Sequence, residues 1–118
     1  MSKSNYYETL YLTRPDLTGD ELGKVQGRLK ESIAGHEGEI YKSDKWAERD
    51  LAYRINNYSK GVYYILVYRA LPSVVAEIEK NLKFLNTDVL RFMTVKIDEA
   101  SALKHKSVSE TQADQGGI

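Results

Sequence analysis

Apolar positions along this chain switch repeatedly between a period of two and a period of three to four, and the switches mark six elements. Tyr6 to Leu12 is a compact aromatic and aliphatic run closed by Arg14-Pro15, which predicts a first strand. Leu22, Val25, Leu29 and Ile33 then recur at helical spacing. Thr18, followed three residues later by Glu21, supplies a capping box for that helix. Gly35 and Gly38 close it, with His36 in the last turn. Glu39 to Ile55 reads as a second strand, polar and irregular at first, ending in Leu51-Ala52-Tyr53-Arg54-Ile55. Asn56 to Gly61 is rich in turn formers and closes a hairpin. Val62 to Leu71 is the most strand-prone stretch; Tyr64, Leu66 and Tyr68 share one face, and Tyr63, Ile65, Val67 and Arg69 the other. Pro72-Ser73 opens a second helix, with Val75, Ile78, Leu82 and Leu85 on one face and Asn86-Thr87-Asp88 at its end. Val89 to Ile97 is the fourth strand.

The order β-α-β-β-α-β is the ferredoxin-like α+β arrangement. It predicts a four-stranded antiparallel sheet with two helices on one face, strands two and four at the edges, and the other face open to solvent or a partner. Residues 1–97 make up this domain. Residues 98–118 hold few large apolar side chains and many Ser, Gln, Lys and Glu. Such a segment buries too little to fold alone, so a polar tail, disordered when free, is expected there.

Length and composition narrow the function. The chain has 118 residues, no cysteine, and 17 acidic against 17 basic side chains. Without cysteine there is no disulfide framework, thiolate metal site or cysteine nucleophile. His36 and His105, the only histidines, are too few for an ordinary zinc site, so no metal and no cofactor are expected. Gly19-Asp20-Glu21-Leu22-Gly23-Lys24 has one residue too few between its glycines for a phosphate loop, and Val25 replaces the required hydroxyl. No catalytic residues stand out, and the chain does not read as an enzyme. Gly19, Gly23 and Gly27 line one helix face, more simply as a tolerated surface than as a docking stripe. No apolar run approaches the roughly 18 residues that cross a bilayer, and Met1 to Asn5 lacks a signal-peptide centre. A cytoplasmic protein is expected.

Zero net charge argues against nucleic-acid binding unless the charge is segregated, and here it is so in part. Residues 16–39 hold six acids and three bases, whereas residues 40–69 hold six bases and three acids. Lys42, Lys45, Arg49 and Arg54 fall on or near an edge strand, with Trp46 among them, and Arg91 and Lys96 on strand four are expected to add charge from the same layer. Guanidinium groups suit phosphate oxygens, and Trp46 suits a ribose or a base. Edge charges also deter sheet-to-sheet aggregation, so charge alone leaves both readings open. Lys60-Gly61-Val62-Tyr63-Tyr64-Ile65-Leu66-Val67-Tyr68 partly matches the RNA-recognition-motif segment, but Val62 and Val67 stand at aromatic positions.

Trp46-Ala47-Glu48-Arg49-Asp50-Leu51-Ala52-Tyr53-Arg54-Ile55 resembles the signature Trp-Gly-x-Arg-x-Leu-Ala-Tyr-x-Ile of the bacterial small-subunit ribosomal protein six family. Tyr7-Glu8, Pro15-Asp16, Tyr63, Pro72 and Arg91-Phe92-Met93-Thr94-Val95-Lys96 extend the resemblance over residues 6 to 97. Ala47 departs from the usual Gly, Arg54 from the frequent Pro, and strand three carries one extra residue near Leu71. The resemblance implies a structural component of the small ribosomal subunit. It would bind the central domain of the small-subunit ribosomal RNA as a heterodimer with small-subunit ribosomal protein eighteen. A partner that supplies positive charge would account for the neutral chain. Carried over by position, Arg49, Arg91 and Lys96 are the expected RNA contacts. Lys45, Trp46 and Tyr63 are added on charge, aromaticity and location; Leu51 and Tyr53 read mainly as packing. Two other functions suit the same fold. One is a small-molecule-binding regulatory module acting through a dimer interface. The other is an acylphosphatase-like hydrolase, which would need an anion cradle around Arg14 to Gly19.

Overall fold

The computed structural model describes residues 4–104. Its elements run β1 (Asn5–Thr13), α1 (Gly19–Ala34), β2 (Glu39–Ile55), β3 (Tyr58–Ala70), α2 (Pro72–Phe84) and β4 (Val89–Ile97). The sheet order is β2-β3-β1-β4, and every neighbouring pair is antiparallel. This is the expected ferredoxin-like topology with β2 and β4 at the edges.

One face of the sheet carries the helices. Tyr7, Tyr11, Tyr64, Leu66 and Tyr68 pack there against Val25, Leu29 and Ile33 of α1 and Val74, Ile78 and Leu82 of α2. In α2 it is Val74, not Val75, that is fully buried; Val75 is only partly covered. The stripe therefore runs Val74, Ile78, Leu82 at a strict spacing of four. Tyr11 stacks on Tyr64 with centroids 5.5 Å apart, and burial pushes its phenol up to about 12. Buried Thr9 is satisfied by the hydroxyls of Tyr68 at 2.9 Å and Thr94 at 2.8 Å, which removes the cost of an unpaired polar group.

Local chemistry sets the boundaries. Thr18 and Glu21 form the full capping box at the start of α1. Gly35 caps the far end in a right-handed conformation; the left-handed residue is Glu37, at φ 61°. Gly38 serves close approach instead, since a Cβ there would meet the Arg69 carbonyl at 2.7 Å and the Ile33 carbonyl at 2.9 Å. Asn56 and Asn57 hold φ of 51° and 69°, the two-residue turn whose twist suits a hairpin. The reversal is tighter than the run 56–61 suggests, and β3 begins at Tyr58 rather than Val62.

Arg14 ties three segments together. Its Nη1 donates to Asp16 at 3.0 Å, its Nη2 to Glu21 at 2.6 Å, and its Nε to Asp88 at 3.1 Å. The hydrogen bond from Arg14 holds Asp16 below the ordinary carboxylate range. Glu21 is also lowered, first by the Thr18 N–H, then by the Thr18 hydroxyl and Arg14. An acylphosphatase cradle would need this guanidinium free for an anion. Three carboxylates already occupy it, so the hydrolase reading loses its central residue.

The opposite face of the sheet is not wholly open. After β4, residues 99–104 form a helical turn. Asp98 starts it, its carboxylate accepting from Ser101 N–H at 2.8 Å and its carbonyl from Ala102 N–H at 3.2 Å. Ala102, fully buried, packs on Ile65 and Val67, flanked by Tyr6, Leu10, Tyr41 and Ile97. The head of the expected tail therefore folds back on the sheet. Its one buried side chain is small enough to let the turn sit close to β3. Residues 105–118, including His105, lie outside the described residues.

Candidate nucleic-acid interface

The β2-β3 hairpin outgrows the rest of the sheet. β1 pairs with β3 only over Val62 to Ala70, so residues 58–61 and their partners project past it. Three irregularities shape β2. Register shifts fall between Ile40 and Lys42, between Lys45 and Ala47, and between Asp50 and Ile55. At the first two, an extra residue is aromatic: Tyr41, then Trp46. Each shares a position with its successor opposite one residue of β3, Val67 or Tyr63, on the face away from the helices. Bulges re-aim side chains in this way. Tyr41 stacks on Tyr6 at 5.9 Å. Trp46 meets Tyr63 edge to face at 5.8 Å and 76°.

The third irregularity is larger. Four residues of β2, Leu51 to Arg54, lie between the pairs Asp50-Lys60 and Ile55-Tyr58, against Ser59 alone on β3. The excursion brings Tyr53 to Arg91, which sits on the opposite edge strand. Arg91 Nη2 donates to the Tyr53 hydroxyl at 2.5 Å, and the guanidinium lies 5.5 Å from that ring's centroid. The Tyr53 hydrogen bond raises Arg91 above its already high ordinary value, keeping it charged at any working pH. The result is a hollow of about 390 Å³ whose lining includes Trp46, Arg49, Leu51, Tyr53, Tyr63 and Arg91.

Arg49 pairs with Gly61 in the β ladder. That register places it on the same face as Tyr63. Gly61 leaves room for Leu12 below, whose Cδ1 stands 2.5 Å from where a Cβ would be. Among the described residues no carboxylate lies within ion-pair distance of Arg49 or of Arg91. Two uncompensated guanidinium groups thus share one aromatic hollow.

Of the six expected contacts, the structure gathers four: Arg49, Arg91, Trp46 and Tyr63. Lys45 stands nearby but opposite Tyr64, on the helix side of the edge, and its ammonium is held by Glu48 at 2.5 Å. Lys96 pairs with Tyr7 in the ladder, which places it on the helix face and toward the other end of the strand. It lies five residues from Arg91, and an odd separation along a strand reverses the face. Arg91 and Lys96 therefore do not act from one layer. Tyr53 is the lining residue that sequence reading missed. Taken for packing, it is 62% exposed and holds Arg91. Its signal in the sequence was its place in a run too long for the strand opposite.

Arginines and aromatic rings thus gather on a partly uncovered sheet face of a ferredoxin-like scaffold. The family model described as Ribosomal protein S6 matches residues 6–96. The small ribosomal subunit protein bS6 of Rickettsia bellii is 34% identical over 112 residues, 91% of this chain and 92% of its own length. That of a Sulfurovum species is 35% identical over 106 residues, 90% of this chain and 79% of its own. A crystal structure of 30S ribosomal protein S6 from Thermotoga maritima superposes with a TM-score of 0.70 at 23% identity, covering 89% of this chain and 98% of that one; it supports the fold. The chain belongs to the ribosomal protein S6 family. It is a structural, non-enzymatic protein of the small ribosomal subunit. Among the described residues no helix is long and apolar enough to cross a membrane, and no group of acidic and His side chains is placed to hold a metal ion.

Proposed function

We propose that this protein binds the central domain of the small-subunit ribosomal RNA as a heterodimer with small-subunit ribosomal protein eighteen, working ribosome-bound in the cytoplasm. The observation that carries the reading is the pair of uncompensated arginines, Arg49 and Arg91, around one aromatic hollow, in a chain of this family. Phosphate contacts from a few arginines fix a protein on RNA. They also suit a chain of zero net charge whose partner brings the remaining cations. Arg49 and Arg91 are the primary contacts, with Trp46 and Tyr63 beside them. Lys96 and Lys45 act from the helix side of the two edges and reach RNA only where it wraps around the sheet.

The test is binding to a central-domain RNA fragment with and without ribosomal protein eighteen over a salt series. Tight, partner-dependent binding is expected, with a shallow salt slope set by the few phosphates this chain touches. Arg49→Ala should weaken assembly about tenfold while leaving thermal stability unchanged, the usual scale for a charge-assisted hydrogen bond. No binding by the folded protein with a competent partner would sink the proposal.

A further inference from the structure

Phosphate contact alone does not explain why the hairpin curls across the sheet to build a hollow. A flat face bearing Arg49 and Arg91 would hold a backbone equally well. Here the walls are rings. Trp46 is 54% exposed, and its edge-to-face contact with Tyr63 leaves an indole surface uncovered. Opposite, Arg91 lies over Tyr53 with its Nη2 committed to the phenol oxygen. That fixes the guanidinium in place and leaves its remaining N–H donors for another acceptor. The volume falls in the range of small-ligand clefts, roughly 300–1,000 Å³. Asp50 also lines the hollow, with Lys60 4.0 Å from its carboxylate.

The geometry points to a single unstacked nucleotide of bound RNA as the occupant, its base against Trp46 and Tyr63, its base edge accepting from Arg91, and its phosphate on Arg49. This rests on the RNA-binding reading above and sharpens it from backbone contact to capture of one base. Aromatic stacking accepts any base, because each has a π face, and is worth roughly 1–3 kcal/mol per base. A duplex offers no such free face, so the hollow selects bulges, loops and junctions. An aliphatic peptide side chain would fill the space but leave two guanidinium groups without acceptors. A nucleotide satisfies rings and cations together.

Trp46 is the only tryptophan in the chain, so its emission reports on the hollow directly. The experiment titrates the full-length protein, with ribosomal protein eighteen present, with the central-domain RNA fragment and with variants carrying one abasic nucleotide each. Binding of intact RNA should quench Trp46. One abasic position should abolish the quench and weaken binding about tenfold. On intact RNA, Trp46→Ala should lose about tenfold and Trp46→Phe less than about threefold; on that abasic RNA, Trp46→Ala should lose nothing further. Tight binding with no abasic position affecting emission, and with Trp46→Ala equal to wild type, would overturn the base-capture proposal and leave the phosphate reading standing. A quench produced fully by ribosomal protein eighteen without RNA would assign the hollow to the protein partner and overturn it as well. Loss of all RNA binding in the wild-type pair would remove the underlying reading itself.

Discussion

The two ends of the sheet face away from the helices are built from similar residues and finished in opposite ways. At one end Ile65 and Val67 lie under Ala102, with Tyr6 and Tyr41 stacked beside them. At the other, Trp46 and Tyr53 are both more than half exposed, and with Tyr63 and Arg91 they line an unfilled hollow. An aromatic residue added by a bulge in β2 occurs at both ends, Tyr41 and Trp46. The difference is what covers it. Seven residues after β4 turn one end into core, while the other keeps rings and guanidinium groups available. Burial therefore separates packed core from available rings and cations along one face of one sheet.

The largest expected effect tests the division by burial within a single row of the face, at its covered end. Val67 and Val95 both pair with Glu8 in the ladder, one on each flank of β1. Val67 is fully buried and Val95 is 43% exposed. Val67→Ala should cost about 2 kcal/mol, the scale for two buried carbons lost with partial collapse of the cavity. Val95→Ala should stay within about 0.5 kcal/mol. Urea denaturation of both variants checks this, and equal losses would show that the face is not divided as described.

A smaller effect is expected where the cover itself is broken. Ala102→Glu puts a carboxylate where a methyl group meets Ile65 and Val67. The turn should lift off at a cost of about 1 kcal/mol, near the value of a methyl group withdrawn from the core together with part of the surface it covered. Amide exchange should rise over residues 98–104 and at Ile65 and Val67, with Trp46 emission unchanged. A simultaneous change in Trp46 would mean that the two ends are coupled. Smaller still, Tyr53→Phe keeps the ring and removes the acceptor for Arg91. Being exposed, it should change stability by less than about 0.5 kcal/mol yet lower RNA affinity, because Arg91 loses its fixed position. A stability loss above 1 kcal/mol would return Tyr53 to packing.

The same division separates what could be read from the sequence from what could not. Period-two alternation placed Tyr64, Leu66 and Tyr68 against Ile65 and Val67 correctly, because β3 is central and regular. The capping box at Thr18 and Glu21 needed only local spacing. β2 is irregular. Its three register shifts break alternation, so the facing of Trp46 does not follow from period two, and the excess length of the run flags Tyr53 without placing it on Arg91. The position of Lys96 was legible, since its odd separation from Arg91 already puts the two on opposite faces. Ala102 was not, because one small apolar residue in a polar segment carries no periodic signal. The arginines of the candidate site were visible as residue types; the hollow that unites them is a tertiary product of a bulge in one edge strand meeting the other.

The smallest expected effect concerns how firmly the cover is held. Asp98 accepts from the Ser101 N–H at 2.8 Å, and hydrogen bonds from the Ser101 side chain and backbone lower its carboxyl below the ordinary 3.8. A carboxyl whose folded value is depressed binds its proton more tightly when the turn is open. The stabilisation it provides is complete above the unfolded value and fades as pH falls through the folded one. The turn 98–104 should therefore loosen selectively as pH drops below about 4, near the ordinary carboxyl value, before the helix-covered core responds. Hydrogen exchange at Ser101 and Ala102 measures it. Asp98→Asn keeps an acceptor at the helix start but cannot titrate, so its exchange at these amides should not respond to this pH step. If wild type and Asp98→Asn loosen together on acidification, the cover is governed by the global acid response of the fold, where Asp16 and Glu21 also depend on their ionised form. The contrast between the two ends of the face would then rest on apolar packing around Ala102 alone.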